Sequence, residues 1–135
     1  HHTAQAEKTS YGIGARIQKA GSENKMNLND LTEIQQRFDR SRATNFAWSQ
    51  PVTADDHSAL LHNTIGLAGE VGELANLVKK FDRGDFPFAK LISELPGELA
   101  DILIYVIKIS YQSGINLEAA MLEKLEENEI RFPSQ

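Results

Sequence analysis

Apolar residues along this chain recur at helical spacing. Between residues 30 and 42, Leu31, Ile34 and Phe38 fall on one face, the pattern of an amphipathic helix. Asp30 followed by Glu33 reads as a capping box at its start. The stretch 43–56 is mostly polar, carries Phe46, Trp48 and Pro51, and reads as a loop. From His57 to Phe81, the positions Leu61, Ile65, Ala68, Val71, Leu74 and Val78 form an apolar stripe that predicts a second helix. Gly66, Gly69 and Gly72 lie inside it. A glycine costs about 1 kcal/mol relative to alanine in a helix interior, so the three suggest that a backbone or a ligand comes close there. Gly84 suits a C-terminal cap.

A short helical turn is expected at 89–94. Proline disfavours helical geometry in the residue before it, so Pro96 is expected to interrupt and the third helix to run from Pro96 to Ser113. Its Leu99, Ile102, Leu103, Val106, Ile107 and Ile109 are almost continuously apolar. That predicts cover from its own bundle and from a second subunit. Gly114 ends it. Asn116 caps a fourth helix, Leu117 to Arg131, with Leu117, Met121 and Leu125 on one face. No strand pattern and no internal repeat is seen. The expected fold is all-α, four-helix bundle-like and oligomeric.

Composition narrows the class. The 135 residues suffice for one domain. With no cysteine there is no disulfide framework and no zinc–thiolate site. A reducing cytoplasm is compatible with that and is the expected location. The net charge of -5 argues against a nucleic-acid partner. No stretch is long and apolar enough to span a bilayer, so no membrane partner is expected. His1 and His2 resemble a tag remnant, and residues 1–25 are read as a tag remnant or loose arm. The domain is expected at 26–135, with Met26 as native start.

The candidate chemistry is acidic. Glu70 and Glu73 lie three residues apart on the second helix, in Gly69-Glu70-Val71-Gly72-Glu73. Glu98 and Asp101 repeat that spacing on the third, in Glu98-Leu99-Ala100-Asp101. Positions i and i+3 share a helix face, so two packed antiparallel helices can bring all four acids together. Clustered carboxylates repel one another. A hard divalent cation resolves the conflict, and magnesium, which takes oxygen ligands and keeps waters, fits best.

The runs LLHNTIGLAGEVGELANLVKK, GELADILIYVIKI and LEKLEENEIRFP, in that order, resemble the all-α nucleoside triphosphate pyrophosphohydrolases of the MazG-like kind over residues 57 to 133. The resemblance implies magnesium-dependent hydrolysis of a nucleoside triphosphate to the monophosphate and pyrophosphate. It implies Glu70, Glu73, Glu98 and Asp101 as metal ligands. It places Lys124 and Asn128 at the triphosphate or nucleotide, Tyr105 at the nucleotide site, and Trp48 as an aromatic that stacks on the base. Two positions depart from the pattern. Gly97 stands where many relatives carry a second acid. Lys80 stands where the deoxycytidine-type branch carries an aromatic, which speaks against cytosine selectivity and suits phosphate. Base preference stays open.

No covalent nucleophile is apparent, so direct attack by water is expected, with Glu73 taking the proton and Lys80 and Lys124 neutralising pyrophosphate. The expected partners are the nucleotide and further copies of the chain, as homodimer or homotetramer. Weighed against this, acids three apart usually mark a solvated face, as Glu123, Glu126, Glu127 and Glu129 are read. Tyr105 and Trp48 could serve packing alone, and Lys80 could serve the helix dipole. A ferritin-like di-iron bundle needs Glu-x-x-His, and neither His57 nor His62 has a glutamate three residues before it. A non-catalytic nucleotide-binding or assembly module is the remaining alternative.

Overall fold

The computed structural model describes residues 25–42 and 50–135. The expected loose arm up to residue 24 and Trp48 lie outside the described residues. Four helices follow in order, α1 (Leu28–Arg40), α2 (Ser58–Asp82), α3 (Phe88–Gln112) and α4 (Leu117–Arg131). Among the described residues there is no strand, and no helix is long and apolar enough to cross a membrane.

Local chemistry accounts for the ends. The capping box of α1 lies three residues earlier than Asp30 and Glu33 suggest. Asn27 Oδ1 accepts from the Asp30 N–H at 2.8 Å, and the Asp30 carboxylate accepts from the Asn27 N–H at 3.2 Å. Both pairings use the same spacing, but only Asn27 has the extended backbone of a cap residue. At α2, Asp56 Oδ1 accepts from the Ser58 N–H at 3.1 Å. The C-termini of α2 and α3 close alike. Gly84 and Gly114 take φ of 89° and 71°. The next N–H then reaches back, Asp85 to the Lys80 carbonyl at 3.0 Å and Ile115 to the Ser110 carbonyl at 2.8 Å. These are Schellman motifs, in which a positive φ costs glycine little. Asn116 caps α4 by accepting from the Ala119 N–H at 3.0 Å.

The third helix corrects the expectation. Instead of a turn, a break and a helix from Pro96, α3 runs unbroken from Phe88, with Pro96 inside it. Proline removes one ladder hydrogen bond, here to the Ile92 carbonyl. Pro96 and Ile92 are both exposed, so water can take the donor's place. Packing of the long helix against α2 outweighs the local preference.

α2 and α3 form an antiparallel hairpin closed at Gly84 and lined there by Phe81, Phe86 and Phe88, with ring centroids 6.3 and 5.9 Å from Phe81. The apolar core is small. Ala59, Leu77, Leu91 and Ile107 are the buried apolar residues among those described. The stripe read along α2 does not face inward, for Leu61 and Ile65 are 62% and 64% exposed, and Val71 and Val78 are exposed too. The buried face is instead that of Ala59, Asn63 and Leu77. On α1 the buried residue is Asp39, while Leu31 and Phe38 are exposed.

Replacing Pro96 with alanine keeps the observed backbone and restores the missing donor. We expect Pro96→Ala to raise stability by about 2 kcal/mol, within the proline penalty for a helix interior, as measured by urea unfolding. A loss of stability would show that α3 requires the proline's geometry.

Candidate metal centre

The inward face of α2 decides where its acids point. Asn63, Glu70 and Leu77 are seven apart, two helical turns each, so Glu70 lies on the buried face between two buried residues. Glu73 is one turn before Leu77. On α3 the register is set by one contact. A Cβ built on Gly66 would stand 2.5 Å from the Tyr105 ring, so the ring rests on bare helix backbone. Four residues onward on α2 is Glu70, and four residues back on α3 is Asp101. Both steps advance one turn in the same direction. Glu70 therefore comes level with Asp101, and Glu73 with Glu98.

Carboxylate oxygens of Glu70, Glu73 and Glu98 lie within 4.8 Å of one another. Asp101 is outside that group, yet its charge acts on Glu70. Glu70 Oε2 and Glu98 Oε2 are buried and have no hydrogen-bond partner. Glu70 is held above the usual carboxylate range by desolvation first, then by repulsion from Glu73 and Asp101, a hydrogen bond shared with Glu73, and repulsion from Glu98. Orphaned buried oxygens, clustered and of one sign, fit a hard divalent cation. The donor set is all carboxylate, which suits magnesium rather than the softer metals.

The remaining sequence-assigned residues are dispersed. Tyr105 is half-buried, one turn from the acids. Lys80 is exposed, two turns beyond Glu73 toward the closed end of the hairpin. Lys124 pairs with Glu127 at 3.3 Å on α4 and Asn128 is exposed. No described contact joins either of them to the acids. Gly69 and Gly72 have open space around them, with nothing within 4 Å of a built Cβ. Of the three glycines in α2, only Gly66 closely approaches another part of the chain among the described residues.

The family model of the MazG nucleotide pyrophosphohydrolase domain matches residues 57–133. The chain belongs to this family. Among curated proteins it is similar to dCTP pyrophosphatase 1 of Rattus norvegicus, with 37% identity over 73 residues, 51% of this chain and 43% of that protein. The Bos taurus protein of that name is 40% identical over 73 residues, with the same coverage. The Homo sapiens protein is 36% identical over 74 residues, 52% of this chain and 44% of the relative. The match thus spans less than half the length of these relatives. No solved structure matches the chain.

Sequence reasoning missed a polar cluster behind Tyr105. Asp39 of α1, buried, accepts from Gln35 at 2.9 Å and from the Tyr111 hydroxyl, and lies 3.6 Å from Lys108 Nζ. Burial and the Asp39 carboxylate push the Tyr111 hydroxyl well above its usual range. Asn63, fully buried, donates to Gln112 Oε1 at 2.8 Å. The available signal was Lys108, the one charge between Ile102 and Ile115. A cavity of about 320 Å³ opens beside this cluster, bordered by Asp39, Arg40, Gln50 and Tyr111, and none of Glu70, Glu73, Glu98 and Asp101 lines it.

Because the folded state raises Glu70, it keeps a proton that the unfolded chain loses first. Metal-free stability therefore falls as pH rises from the ordinary carboxylate value through the raised one. Magnesium should raise the melting temperature more at about pH 8 than at about pH 5. Glu70→Gln should raise the metal-free melting temperature at the higher pH and remove most of the magnesium response. An unchanged response in that variant would exclude Glu70 as a ligand. Differential scanning fluorimetry reads all three.

Proposed function

We propose that this protein is a magnesium-dependent nucleoside triphosphate pyrophosphohydrolase, releasing a nucleoside monophosphate and pyrophosphate in nucleotide-pool housekeeping in the cytoplasm. The observation that carries this reading is the convergence of Glu70, Glu73 and Glu98, with two buried oxygens unpartnered, in a chain of the MazG family. The substrate class is taken from the relatives, which are dCTP pyrophosphatases. Glu70, Glu73, Glu98 and Asp101 would hold the metal, which when bound supplies Lewis acidity toward phosphate oxygens. The single domain is taken as residues 26–135.

In the reaction, water forms a bond to the α-phosphorus as the bond from that phosphorus to the bridging oxygen breaks. Glu73, the most exposed of the converging glutamates, takes the water's proton. The two ends of the site differ in character. Toward Gly84 stand Lys79 and Lys80, with Arg83 paired to Asp85 at 2.6 Å, and toward Gly66 stands the Tyr105 ring. Pyrophosphate belongs at the cationic end, with Lys80, and the base at the aromatic end, stacked on Tyr105. Trp48 is proposed as a second stacking surface.

Lys124 and Asn128 need a second copy to reach the site. The exposed apolar side chains of α2, α3 and α4, among them Leu61, Ile65, Leu99, Leu103, Met121 and Leu125, support a homodimer or homotetramer. A module serving assembly alone is disfavoured, because assembly has no use for unpartnered buried carboxylates.

A screen of purified protein against ordinary and modified triphosphates, with and without magnesium, tests the activity. Monophosphate and pyrophosphate should appear only with the metal, whereas orthophosphate as first product would exclude the reaction. Glu73→Ala should lower kcat about 10³-fold, the scale of a lost general base, while helical circular dichroism persists. Wild-type turnover in that variant would remove Glu73 from the mechanism.

A further inference from the structure

Lys108 is out of place in its helix. It is the lone charge in an apolar run, yet its side chain is only 19% exposed. Two groups hold it there. Its Nζ lies 3.6 Å from Asp39 Oδ1 of α1 and 5.7 Å from the centroid of the Tyr105 ring. The second distance is within cation–π range. Tyr105 is three residues earlier on α3, so the two side chains share a face. The ring is thus bounded on one side by the Gly66 backbone and on another by an ammonium group. Asp39 is itself fixed, by Gln35 at 2.9 Å and by the Tyr111 hydroxyl.

These contacts connect α1 to the nucleotide end of the metal centre through one side chain. A tyrosine has two soft torsions, and only its bounding surfaces decide where the ring stands. We infer that Lys108 is a positioning residue: anchored by Asp39, it holds the Tyr105 ring in the orientation on which a nucleobase stacks, and so governs nucleotide affinity without touching phosphate. The inference rests on the proposed nucleotide site. It adds a specificity determinant outside the acidic motifs, and it gives α1 a part in substrate recognition.

The test separates the two levels. Removing Lys108 alone leaves the Asp39 carboxylate buried without its cation. The variant used is therefore Asp39→Asn/Lys108→Met, with Lys108→Arg as the conservative control. Tyr105→Ala measures what the ring contributes. With a triphosphate that the wild type turns over, Tyr105→Ala and the double variant should each raise KM about tenfold, within the range of a lost base–aromatic stack, and change kcat by no more than about twofold. Lys108→Arg, which keeps both the ion pair and the cation–π contact, should restore KM.

Ring resonances of ¹³C-tyrosine report on position independently of turnover. The three tyrosines are resolved by loss of the Tyr105 signal in Tyr105→Phe. That signal should move in the double variant and stay in place in Lys108→Arg. If Tyr105→Ala leaves KM unchanged, the nucleotide placement fails. If Tyr105→Ala raises KM but the double variant does not, or if the ring signal does not move, the role of Lys108 is overturned and the placement stands.

Discussion

Like charges brought together inside a protein must be compensated, protonated or separated, and this fold is built around that constraint. Carboxylates of Glu70, Glu73 and Glu98 stand within 4.8 Å of one another, and two of their buried oxygens have no hydrogen-bond donor. Separation is denied by the hairpin, because α2 and α3 are held at both ends. At the closed end, the Gly84 motif and the Phe81, Phe86 and Phe88 cluster fix the turn. At the open end, Asn63 and Gln112 join in a buried hydrogen bond. Protonation remains, toward which Glu70 is already shifted, and so does compensation by a ligand of opposite sign, the part given to the proposed metal.

The antiparallel register makes this work. A spacing of three within each motif puts two acids on one helix face. A spacing of four from Gly66 to Glu70, and from Asp101 to Tyr105, keeps the two helices level. The glycine is the reference point of that register, since any side chain there would meet the tyrosine ring. The consequence is a site with an axis. Lys79 and Lys80 stand toward one end and an aromatic ring toward the other, the polarity on which the proposed nucleotide placement rests.

The same inward placement of the acids explains the thin core. A helix face used for carboxylates and for Asn63 is not available for aliphatic packing, and the apolar stripe of α2 is turned outward. Buried apolar area contributes about 25 cal/mol per Å². With Ala59, Leu77, Leu91 and Ile107 as the buried apolar residues of the described part, one copy removes little of its hydrocarbon from water. Exposed aliphatic faces on three helices give a second copy much to cover.

The number of helices, the C-terminal stops of α2 and α3, the start of α4 and the acidic motifs were legible in the sequence alone. Local chemistry settles them: Asn116 with its side-chain acceptor, Gly84 and Gly114 with their tolerance of positive φ, and acids at a spacing that shares a face. What depended on tertiary structure was which face turns inward and what crosses between helices. Pro96 reads locally as a break, and only packing along the whole of α3 carries the helix through it. Leu61 and Ile65 read locally as core, and only the docking of α3 decides that Asn63 and Glu70 face inward in their place. Asp39 and Lys108 lie 69 residues apart in sequence, so no periodicity could pair them. Their ion pair exists because α1 packs against α3 and brings the two side chains to 3.6 Å.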